Sequence, residues 1–349
     1  MSYKLEFEKY VISESCTLMQ ALEKLNTNDK LTLIVLNNNS EVVGTITDGD
    51  IRRGILKGVS LESPISTFMH SNFIFLKNGQ PDLTLIDSVR KNNIRLLPVL
   101  NDERKLVKLF DLTRQKSLLP LEAVLMAGGK GERLRPLTEK TPKPLLKLGN
   151  KAIIEYNINN LSKFGIENVY ISVKYLADQI VDYLGDGEKY GLNIQYIRED
   201  EPLGTLGAVT LVDNYESDTV LVMNSDLFTN LNLEEFYNHY MEEGADMAIA
   251  TFPYVVSVPY GVLNIENSSV TSVAEKPTYT YHASAGMYLI KKEYFNLIPK
   301  NTFYNATDLM DLLFSMQKKI TYFPIVGYWI DIGKPDDYKK AQEYVKYLE

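Results

Sequence analysis

The chain beyond residue 120 alternates between short apolar runs and longer amphipathic segments, and this alternation limits the possible folds more than any other feature. The apolar runs are AVLMA (123–127), ENVYISV (167–173), NIQYIRE (193–199), TVLVMNS (219–225) and ADMAIATF (245–252). Segments with helical spacing lie between them, such as 151–165, 178–186 and 233–244. Strands that alternate with helices form a mostly parallel sheet with helices on both faces. The sequence therefore predicts an α/β, Rossmann-like domain that binds its ligand at the carboxyl ends of the strands.

The loop after the first of these strands has the composition of a phosphate-binding loop. Three glycines occur within four residues, and cationic side chains follow at 133, 135, 140 and 143. Glycines let main-chain N–H groups face a ligand closely, and the cations can neutralise a triphosphate. The loop is neither a Walker A loop nor a dinucleotide fingerprint, because the required Gly-Lys-Ser/Thr and the third spaced glycine are absent. The glycines by themselves are equally compatible with an exposed loop that carries solvated charges.

Two aspartates stand in apolar surroundings further along the chain. Asp226 ends an apolar strand, and Asp331 interrupts the run YWIDIG (328–333), where an unpaired charge would be costly. Asp226 could instead cap the helix of 233–244, although Asn230 and Asn232 lie closer to its start. Mg²⁺ is satisfied by one or two carboxylates together with phosphate oxygens and waters. The two aspartates therefore form a candidate magnesium site.

These segments together resemble the signature of the sugar-1-phosphate nucleotidyltransferases. The pattern Gly-Gly-x-Gly-x-Arg-Leu, Pro-Leu-Thr and Pro-Lys-Pro-Leu is present at Gly128, Gly129, Gly131, Arg133, Leu134, Pro136, Leu137, Thr138, Pro142, Lys143, Pro144 and Leu145. The resemblance implies a nucleotide site built from Leu125, Ala127, Gly128, Gly129, Gly131, Glu201 and Gly204. It implies that sugar binds at Gly261, Glu275 and Gly286. It assigns catalysis to Arg133, Lys143, Asp226, Asp331 and Lys276, with Asp226 and Asp331 as the Mg²⁺ ligands.

The resemblance also implies a reaction. A sugar 1-phosphate oxygen attacks the α-phosphorus of a nucleoside triphosphate in line, and pyrophosphate leaves. Arg133 is expected to hold the departing phosphates, and Lys143 to bridge the two reacting phosphates. Lys276 is expected to anchor the sugar phosphate, and Glu275 to contact sugar hydroxyls. A remote alternative is a catalytically inactive nucleotide-sensing protein, but the presence of Arg133, Lys143 and both aspartates argues against it.

The first third of the chain contains an internal repeat. The segment LIVLN (33–37) is echoed by LPVLN (97–101), and at the same offset of 64 residues Val42-Val43 matches Leu106-Val107. Each copy has the pattern helix, buried strand, polar turn, strand. This resembles a tandem CBS module, a smaller α+β unit over residues 1–118 with copies at about 1–60 and 61–118. With a boundary near Pro120, the transferase domain is predicted over 121–349.

The CBS resemblance implies a ligand site in the first copy. GTITDGD (44–50) matches the family motif, so Thr47 and Asp50 are expected to bind a phosphate oxygen and ribose hydroxyls of a regulatory nucleotide. In the second copy Lys108, Asp111 and Arg114 occupy the motif positions, and the motif is lost. Alternatively, the acidic residues of this turn only cap the helix that follows, and the module is structural or oligomerising.

Composition restricts the partners. A net charge of −8 argues against nucleic acid or an anionic membrane as the main partner. The single cysteine excludes an internal disulfide, and the sequence MSYKLEFEKY lacks the apolar core of a signal peptide, so a cytoplasmic protein is expected. Oligomerisation is usual among the transferases that the chain resembles, so a homo-oligomer is expected.

The substrates are predicted from one acidic turn. Glu199, Asp200 and Glu201 precede Pro-Leu-Gly-Thr, a turn usual in the guanylyltransferase branch. Guanine presents two adjacent hydrogen-bond donors, and a carboxylate can accept hydrogen bonds from both. GTP is therefore expected as the nucleotide, with Glu201 as the contact to the base. Alternatively, the acidic turn is simply solvated. CBS-fused transferases of this type resemble glucosamine-1-phosphate guanylyltransferases of legionaminic acid biosynthesis, a route to surface glycans. Mannose 1-phosphate with GTP, or glucose 1-phosphate with dTTP or UTP, are the alternatives.

Overall fold

The computed structural model describes residues 7–78 and 83–347. Residues 1–6, on which part of the localisation prediction depends, lie outside them. The chain forms two compact units. The first contains Met1–Pro120, Asn160–Glu167 and Gly187–Asn193, and the second contains the remaining residues.

The first unit contains two small sheets of the same design. The helices and strands of its first 120 residues are β1 (Val11–Ser13), α1 (Leu18–Asn26), β2 (Thr32–Leu36), β3 (Val42–Thr47), α2 (Asp48–Leu56), β4 (Leu76–Lys77), α3 (Leu83–Lys91), β5 (Leu96–Leu100) and β6 (Leu106–Asp111). In one sheet β2 pairs parallel with β1 and antiparallel with β3. In the other β5 pairs parallel with β4 and antiparallel with β6.

The two sheets repeat each other at the offset of 64 residues. Val35 pairs with Gly44 and Val99 with Lys108, and each ladder then has an irregularity before the next pair. Helix α2 has no counterpart after β6, where the chain continues in turns. The repeat therefore extends to the pairing register but stops one helix short in the second copy.

The second unit is built on a seven-stranded sheet of order β11-β10-β7-β12-β17-β14-β18. Its strands are β7 (Leu121–Met126), β10 (Asn168–Val173), β11 (Asn193–Arg198), β12 (Thr219–Asn224), β14 (Met247–Ser257), β17 (Thr278–Lys291) and β18 (Ile320–Pro324). Two-stranded ladders are formed by β8 (Lys147–Leu148) with β9 (Lys151–Ala152), β13 (Leu227–Thr229) with β19 (Trp329–Asp331), and β15 (Val262–Glu266) with β16 (Ser269–Ala274). The helices are α4 (Ile153–Lys163), α5 (Ala177–Leu184), α6 (Leu233–Glu242), α7 (Ala306–Ser315) and α8 (Pro335–Val345).

The prediction of an α/β fold with a mostly parallel sheet is confirmed. Strands β10 and β12 run parallel to β7, and β17 is antiparallel to both β12 and β14. Strands β7, β10 and β12 are buried along nearly their whole length, as expected for strands covered on both faces. Between β11 and β12 the chain forms a 3₁₀ helix, Gly207–Leu211.

The connections locate the crevice of the sheet. The chain moves from β7 through α4 to β10 on one side, and from β12 through α6 to β14 on the other. Strands β7 and β12 are neighbours, so the order reverses between them. Ligands of open α/β sheets bind outside the carboxyl ends of the strands at such a reversal. Among the described residues, no helix combines the length and the apolar character needed to cross a membrane.

Candidate active site

Main-chain hydrogen bonds align the ends of four strands at one edge of the sheet. Ser225 N donates to Met126 O (3.2 Å), Ala127 N to Ser172 O (2.8 Å) and Glu199 N to Val173 O (3.0 Å). The residues that leave β7, β11 and β12 are therefore held side by side. Each of these ends continues into a polar loop, and the loops form the walls of one cleft.

The glycine loop after β7 is tightly folded. Gly131 has φ +63°, and a Cβ there would lie 3.0 Å from the Thr138 side chain and 3.1 Å from Lys143 Cβ. The Thr138 hydroxyl donates to the Gly131 carbonyl oxygen at 2.8 Å. A side chain at position 131 would be strained and would also displace Lys143. The glycine that the motif places here therefore fixes the position of the lysine.

The turn that carries Asp226 is held from two sides. The buried Asn157 side chain on α4 donates to Ser225 O (3.1 Å) and Leu227 O (3.0 Å). The Ser225 hydroxyl donates to Met126 O at 2.7 Å. Asp226 does not cap α6, because the Asn232 side chain accepts from the N–H groups of residues 234 and 235. Its carboxylate is thus available for another role.

Asp331 reaches the same place through the short β13–β19 ladder. Leu227 pairs with Asp331, and Ile332 N donates to Asp226 O at 3.2 Å. The indole N–H of Trp329 donates to Ala285 O at 2.9 Å and so ties β19 to β17. Two aspartates that lie 105 positions apart in the sequence (331 − 226) are brought together by main-chain pairing.

Lys143 stands between the two carboxylates. It is only 8% exposed, its ammonium pairs with Asp226 Oδ2, and Asp331 Oδ1 lies 3.8 Å away. Asp226 Oδ1 is buried and accepts no hydrogen bond from the part of the chain that the structure describes. Burial and the neighbouring Asp226 raise the pKa of Asp331, while Lys143 and Arg133 oppose the rise. Two carboxylates share one ammonium, and the remaining negative charge and the unpartnered oxygen suit a divalent cation.

The cleft has a volume of about 540 Å³. The predicted site residues among its lining are Ala127, Gly128, Gly129, Gly131, Arg133, Lys143, Gly204 and Asp226. Further lining residues that the sequence analysis did not assign are Met126, Lys130, Glu132, Pro144, Glu199, Pro202, Leu203, Asn224, Ser225 and Phe303. Leu125 is fully buried in β7, the strand that leads into the glycine loop. Asp331 is not among the lining residues but contacts the cluster through Lys143.

Glu199, rather than Glu201, faces the cleft. Its Oε1 accepts from the Ser172 hydroxyl, and its Oε2 accepts from Leu203 N at 3.1 Å. A Cβ on Gly128 would lie 2.9 Å from Glu199 Oε1. The side chain of Glu201 is 87% exposed and lies 3.5 Å from Lys174 Nζ. Glu199 follows directly on β11, and this position at a strand end could have identified it in the sequence.

The predicted sugar residues lie in two places. Gly286 lies in the irregular part of the β14–β17 ladder, and its Cα packs against Asn224, which lines the cleft. Gly261 and Glu275 lie beside each other at the base of the β15–β16 hairpin, where a Cβ on Gly261 would be 3.2 Å from Glu275 Oε2. Glu275 and Lys276 are exposed. The hairpin residues are therefore close to one another but are not part of the cleft lining.

Thr47 and Asp50 line a separate cavity of about 610 Å³ in the first unit. The Thr47 hydroxyl donates to Asp50 Oδ2 at 2.7 Å, and Arg53 pairs with Asp50 Oδ1 at 2.6 Å. Thr47 is also the N-cap of α2, with Asp50 completing a capping box. The two residues thus cap a helix, as the structural alternative requires, and also face a cavity large enough for a nucleotide.

The equivalent position in the second copy is closed by an ion pair. Asp111, which lies 64 positions after Thr47, is 6% exposed and lies 2.7 Å from the ammonium of Lys30. The Lys30 side chain also donates to the Thr113 hydroxyl at 2.9 Å. The carboxylate that could meet a ligand is already paired with a lysine of the first copy.

Comparison with known families agrees with both halves of this description. Residues 122–347 match the nucleotidyl transferase family, and residues 8–57 match the CBS domain family. A structure from Bacillus anthracis described as a glucose-1-phosphate thymidylyltransferase superposes with a TM-score of 0.54. It covers 66% of this chain and 96% of that one at 24% identity, so it supports the fold alone.

Three relatives illustrate the sequence similarity. D-glycero-α-D-manno-heptose 1-phosphate guanylyltransferase of Aneurinibacillus thermoaerophilus is 32% identical over 65% of this chain and 99% of its own length. The bifunctional protein GlmU of Methanocaldococcus jannaschii is 31% identical over 64% of this chain and 54% of its own length. Mannose-1-phosphate guanyltransferase of Pichia angusta is 29% identical over 62% of both chains. The chain thus spans between half and two thirds of the latter two relatives.

Proposed function

The chain belongs to the nucleotidyl transferase family of sugar-1-phosphate nucleotidyltransferases, and from this premise we propose that it transfers GMP from GTP to a hexosamine or hexose 1-phosphate. Glucosamine 1-phosphate is the leading acceptor, and the products are a GDP-sugar and pyrophosphate. The observation that carries the proposal is the cluster of Lys143 between Asp226 and Asp331, directly beside the glycine loop. It places positive charge and cation ligands where a triphosphate would be held.

The residues act mainly by positioning and by compensating charge. The N–H groups of the glycine loop and the Arg133 guanidinium bind the β- and γ-phosphates, which leave as pyrophosphate. Lys143 lies between the α-phosphate and the incoming sugar phosphate and lowers their repulsion. Because Lys143 is buried among its neighbours, it is held in place before the substrates arrive. This preorganisation is what makes a charged group effective in the transition state.

Asp226 and Asp331 are the proposed ligands of a divalent metal, with Mg²⁺ as the expected ion. The buried and unpartnered Asp226 Oδ1 supports this assignment, since such an oxygen requires a cation or donor. Mg²⁺ binds through one or two carboxylates together with phosphate oxygens. When bound there, it would withdraw electron density from the α-phosphate.

Guanine is the proposed base, and Glu199 is the residue best placed to recognise it. Glu199 has the acceptor chemistry that was expected of Glu201, and it faces the cleft. Its contact with Leu203 N fixes the carboxylate beside the Pro-Leu-Gly-Thr turn. We expect GTP to exceed UTP and dTTP by about tenfold or more in kcat/KM, because a wrong base leaves hydrogen-bonding groups unpaired. Glu199→Gln should reduce this preference more than Glu201→Gln does.

The acceptor is proposed to bind between Asn224 and the hairpin that carries Gly261, Glu275 and Lys276. In this proposal Glu275 contacts hydroxyl groups and Lys276 the sugar phosphate, while Gly286 allows Asn224 to approach. Mannose 1-phosphate and D-glycero-α-D-manno-heptose 1-phosphate are the main competing acceptors, given the guanylyltransferase relatives. Use of the product for surface glycans such as legionaminic acid is part of the proposal.

The test is a pyrophosphate-release screen with GTP, ATP, UTP and dTTP against glucosamine, mannose, glucose and heptose 1-phosphates, each with and without Mg²⁺. The Asp226→Asn variant measures background release. We expect release above that background with GTP and glucosamine 1-phosphate. Preference for dTTP or UTP would overturn the guanylyltransferase assignment, and preference for another sugar would overturn the acceptor. No release in any combination would favour a nucleotide-sensing protein.

We further propose that residues 1–118 form a regulatory module with one nucleotide site, at Thr47 and Asp50, and that residues 121–349 form the catalytic domain. The cavity beside α2 supports this site, and the Lys30–Asp111 pair argues against a second one. Calorimetry of the full chain with adenine and guanine nucleotides should show one site that Asp50→Ala weakens. Binding indifferent to Asp50→Ala would leave the module with a structural role. A cytoplasmic homo-oligomer is proposed as its working form.

A further inference from the structure

We propose that Phe303 stacks on the nucleobase of the bound nucleotide and so determines much of the affinity for that substrate. The inference rests on the proposed function, since it concerns the nucleotide end of the same cleft. Phe303 is an aromatic side chain that remains 59% exposed and yet lines the cleft. It belongs to none of the motifs that the sequence analysis identified.

The segment around Phe303 is fixed by main-chain hydrogen bonds to the turn after β11. Tyr304 N donates to Leu203 O (3.0 Å), and Tyr304 O accepts from Leu206 N (2.9 Å) and Gly207 N (3.2 Å). The Thr205 hydroxyl accepts from Ala306 N at 2.8 Å. Phe303 thus directly precedes a backbone that is fixed at Tyr304 and Ala306, and little ordering is needed when a ligand binds.

Two glycines make this close approach possible. Gly204 has φ +73°, and a Cβ there would lie 2.7 Å from Tyr304 O. A Cβ on Gly207 would overlap the carbonyl oxygen of Thr302. Any side chain at either position would push the segment away from the turn. The conformation at Gly204 and Gly207 therefore holds residues 302–304 against the wall of the cleft, with Phe303 in the cleft.

The chemistry of the lining distinguishes the two ends of the cleft. All of its lysine and arginine residues lie between positions 130 and 143, beside the glycine loop. Leu203 and Gly204 contact the segment that carries Phe303, and Glu199, which accepts from Leu203 N, belongs to the same turn. Among the described lining residues, this turn contributes a carboxylate and apolar groups but no cation, so it suits a heterocycle better than a phosphate. This difference favours an orientation with the base beside Phe303 and the triphosphate beside the cations.

Phe303 and Glu199 would contact the base in complementary ways. A carboxylate such as Glu199 can accept hydrogen bonds only from the edge of a base, whereas an aromatic ring contacts its face. Base–aromatic stacking contributes on the order of 5- to 150-fold in affinity, equivalent to about 1–3 kcal/mol per base. Stacking does not depend on the identity of the base, so Phe303 supplies affinity and Glu199 supplies discrimination.

The experiment compares Phe303→Ala with Phe314→Ala. Phe314 lies on α7, is 60% exposed and does not line the cleft, so it matches Phe303 in residue type and exposure. Calorimetry with the full chain measures Kd for GTP and for tripolyphosphate, which lacks the base. We expect Phe303→Ala to raise the Kd for GTP at least about fivefold and to leave the Kd for tripolyphosphate unchanged. Phe303→Tyr should retain the wild-type affinity, and Phe314→Ala should alter neither ligand.

Three outcomes would overturn the inference. They are an unchanged GTP affinity in Phe303→Ala, an equal loss for GTP and tripolyphosphate, or the same loss in Phe314→Ala. If the pyrophosphate screen selects another nucleoside triphosphate, the same comparison is made with that nucleotide. A wrong base assignment then leaves the stacking result intact, whereas a failure of stacking leaves the reaction assignment intact.

Discussion

Two aspartate–lysine pairs lie at opposite edges of the same sheet and differ in how completely their charges are compensated. Asp246 precedes β14, and its partner Lys291 ends the antiparallel β17, so this pair lies at the amino ends of the parallel strands. Asp226 follows β12 and pairs with Lys143 at the carboxyl ends. The first pair is electrostatically complete, and the second is not.

Asp246 has a partner for each oxygen. Oδ1 accepts from Lys291 Nζ and from the Tyr294 hydroxyl, both at 2.7 Å, and Oδ2 accepts from Lys319 N at 3.0 Å. Burial by itself raises the pKa of Asp246, but these hydrogen bonds outweigh it and lower the pKa to about 2. Tyr294 shows the reciprocal effect, since burial and Asp246 raise the pKa of its hydroxyl. Such a carboxylate has its charge compensated within the fold and stabilises the fold without a ligand.

Asp226 has one oxygen without a partner and a second carboxylate nearby. Lys143 must serve both Asp226 and Asp331, and burial next to Asp226 raises the pKa of Asp331. This arrangement is less favourable for the isolated protein, and it becomes favourable when a cation binds. The contrast separates a carboxylate whose charge is compensated within the fold from a carboxylate in a cleft whose charge is not, and the second kind is the candidate for binding a ligand.

The largest expected effect is on activity, and it distinguishes Asp226 and Asp331 from Asp246. Asp226→Asn and Asp331→Asn should each lower kcat by about 10³-fold or more, because the metal ligands are lost. Asp246→Asn should retain near-normal kcat, since it lies at the other edge of the sheet. Metal-dependent turnover is measured for the three variants. Near-normal Mg²⁺-dependent rates in Asp226→Asn or Asp331→Asn would contradict the proposal that the two aspartates are metal ligands.

The second expected effect concerns the two lysines. Lys143→Ala should lower kcat on the order of 10²-fold or more if its charge acts mainly in the transition state. Lys291→Ala should leave kcat close to the wild-type value and lower the thermal midpoint instead. Steady-state kinetics and thermal unfolding are compared for both. A raised KM with unchanged kcat in Lys143→Ala would mean that the lysine only binds substrate.

The third expected effect is a loss of stability in acid that is due to the complete pair. The folded-state pKa of Asp246 is lowered from 3.8 to about 2, so its contribution to stability is present above pH 4 and is lost as the pH falls towards 2. The contribution is at most about 2 kcal/mol, and less where water screens the pair. Urea unfolding at pH 5 and pH 3 should show a larger loss of stability in the wild type than in Asp246→Asn. Identical losses in both proteins would contradict this role.

The smallest expected effect tests the incomplete pair directly. A metal that binds only the folded protein stabilises it by about 1.4 kcal/mol at ten times its Kd, which corresponds to a rise of about 2–4 °C in Tm for a protein of this size. Adding Mg²⁺ in place of a chelator should raise Tm of the wild type and of Asp246→Asn, but not of Asp331→Asn. A rise in Tm of equal size in the wild type and both variants would mean that the cation does not bind at Asp331.

Much of the fold was predictable because it depends on local patterns. Apolar runs in alternation with amphipathic segments predicted a mostly parallel sheet, and the prediction is confirmed. Asn232 was expected to be a better cap than Asp226 for the helix of 233–244, and its side chain does cap α6. The repeat of 64 residues was visible in the sequence, but its missing last helix was not.

The cleft residues were easiest to predict where they belong to one continuous motif, although Asp226 and Gly204, which lie outside it, were also named from the sequence and line the cleft. The glycine loop, Arg133 and Lys143 lie within 16 positions of one another, counted from 128 to 143, and all contribute to the cleft. Glu201, by contrast, was expected to contact the base, but Glu199 lines the cleft and the side chain of Glu201 is exposed. The sequence did not reveal that Glu275 and Lys276 are exposed, and their roles stay predictions.

The sequence by itself determined the elements and the chemical groups, because hydrophobic periodicity, glycine turns and charged residues act over a few positions. Only the tertiary structure decided which groups meet. The β13–β19 ladder sets Asp331 beside Asp226, Asn157 fixes the turn that carries Asp226, and backbone pairing brings Phe303 to the cleft. These contacts join residues 68 to 105 positions apart, taken from 157 to 225 and from 226 to 331. Pairing over such separations depends on how whole elements pack, and no local pattern encodes that packing.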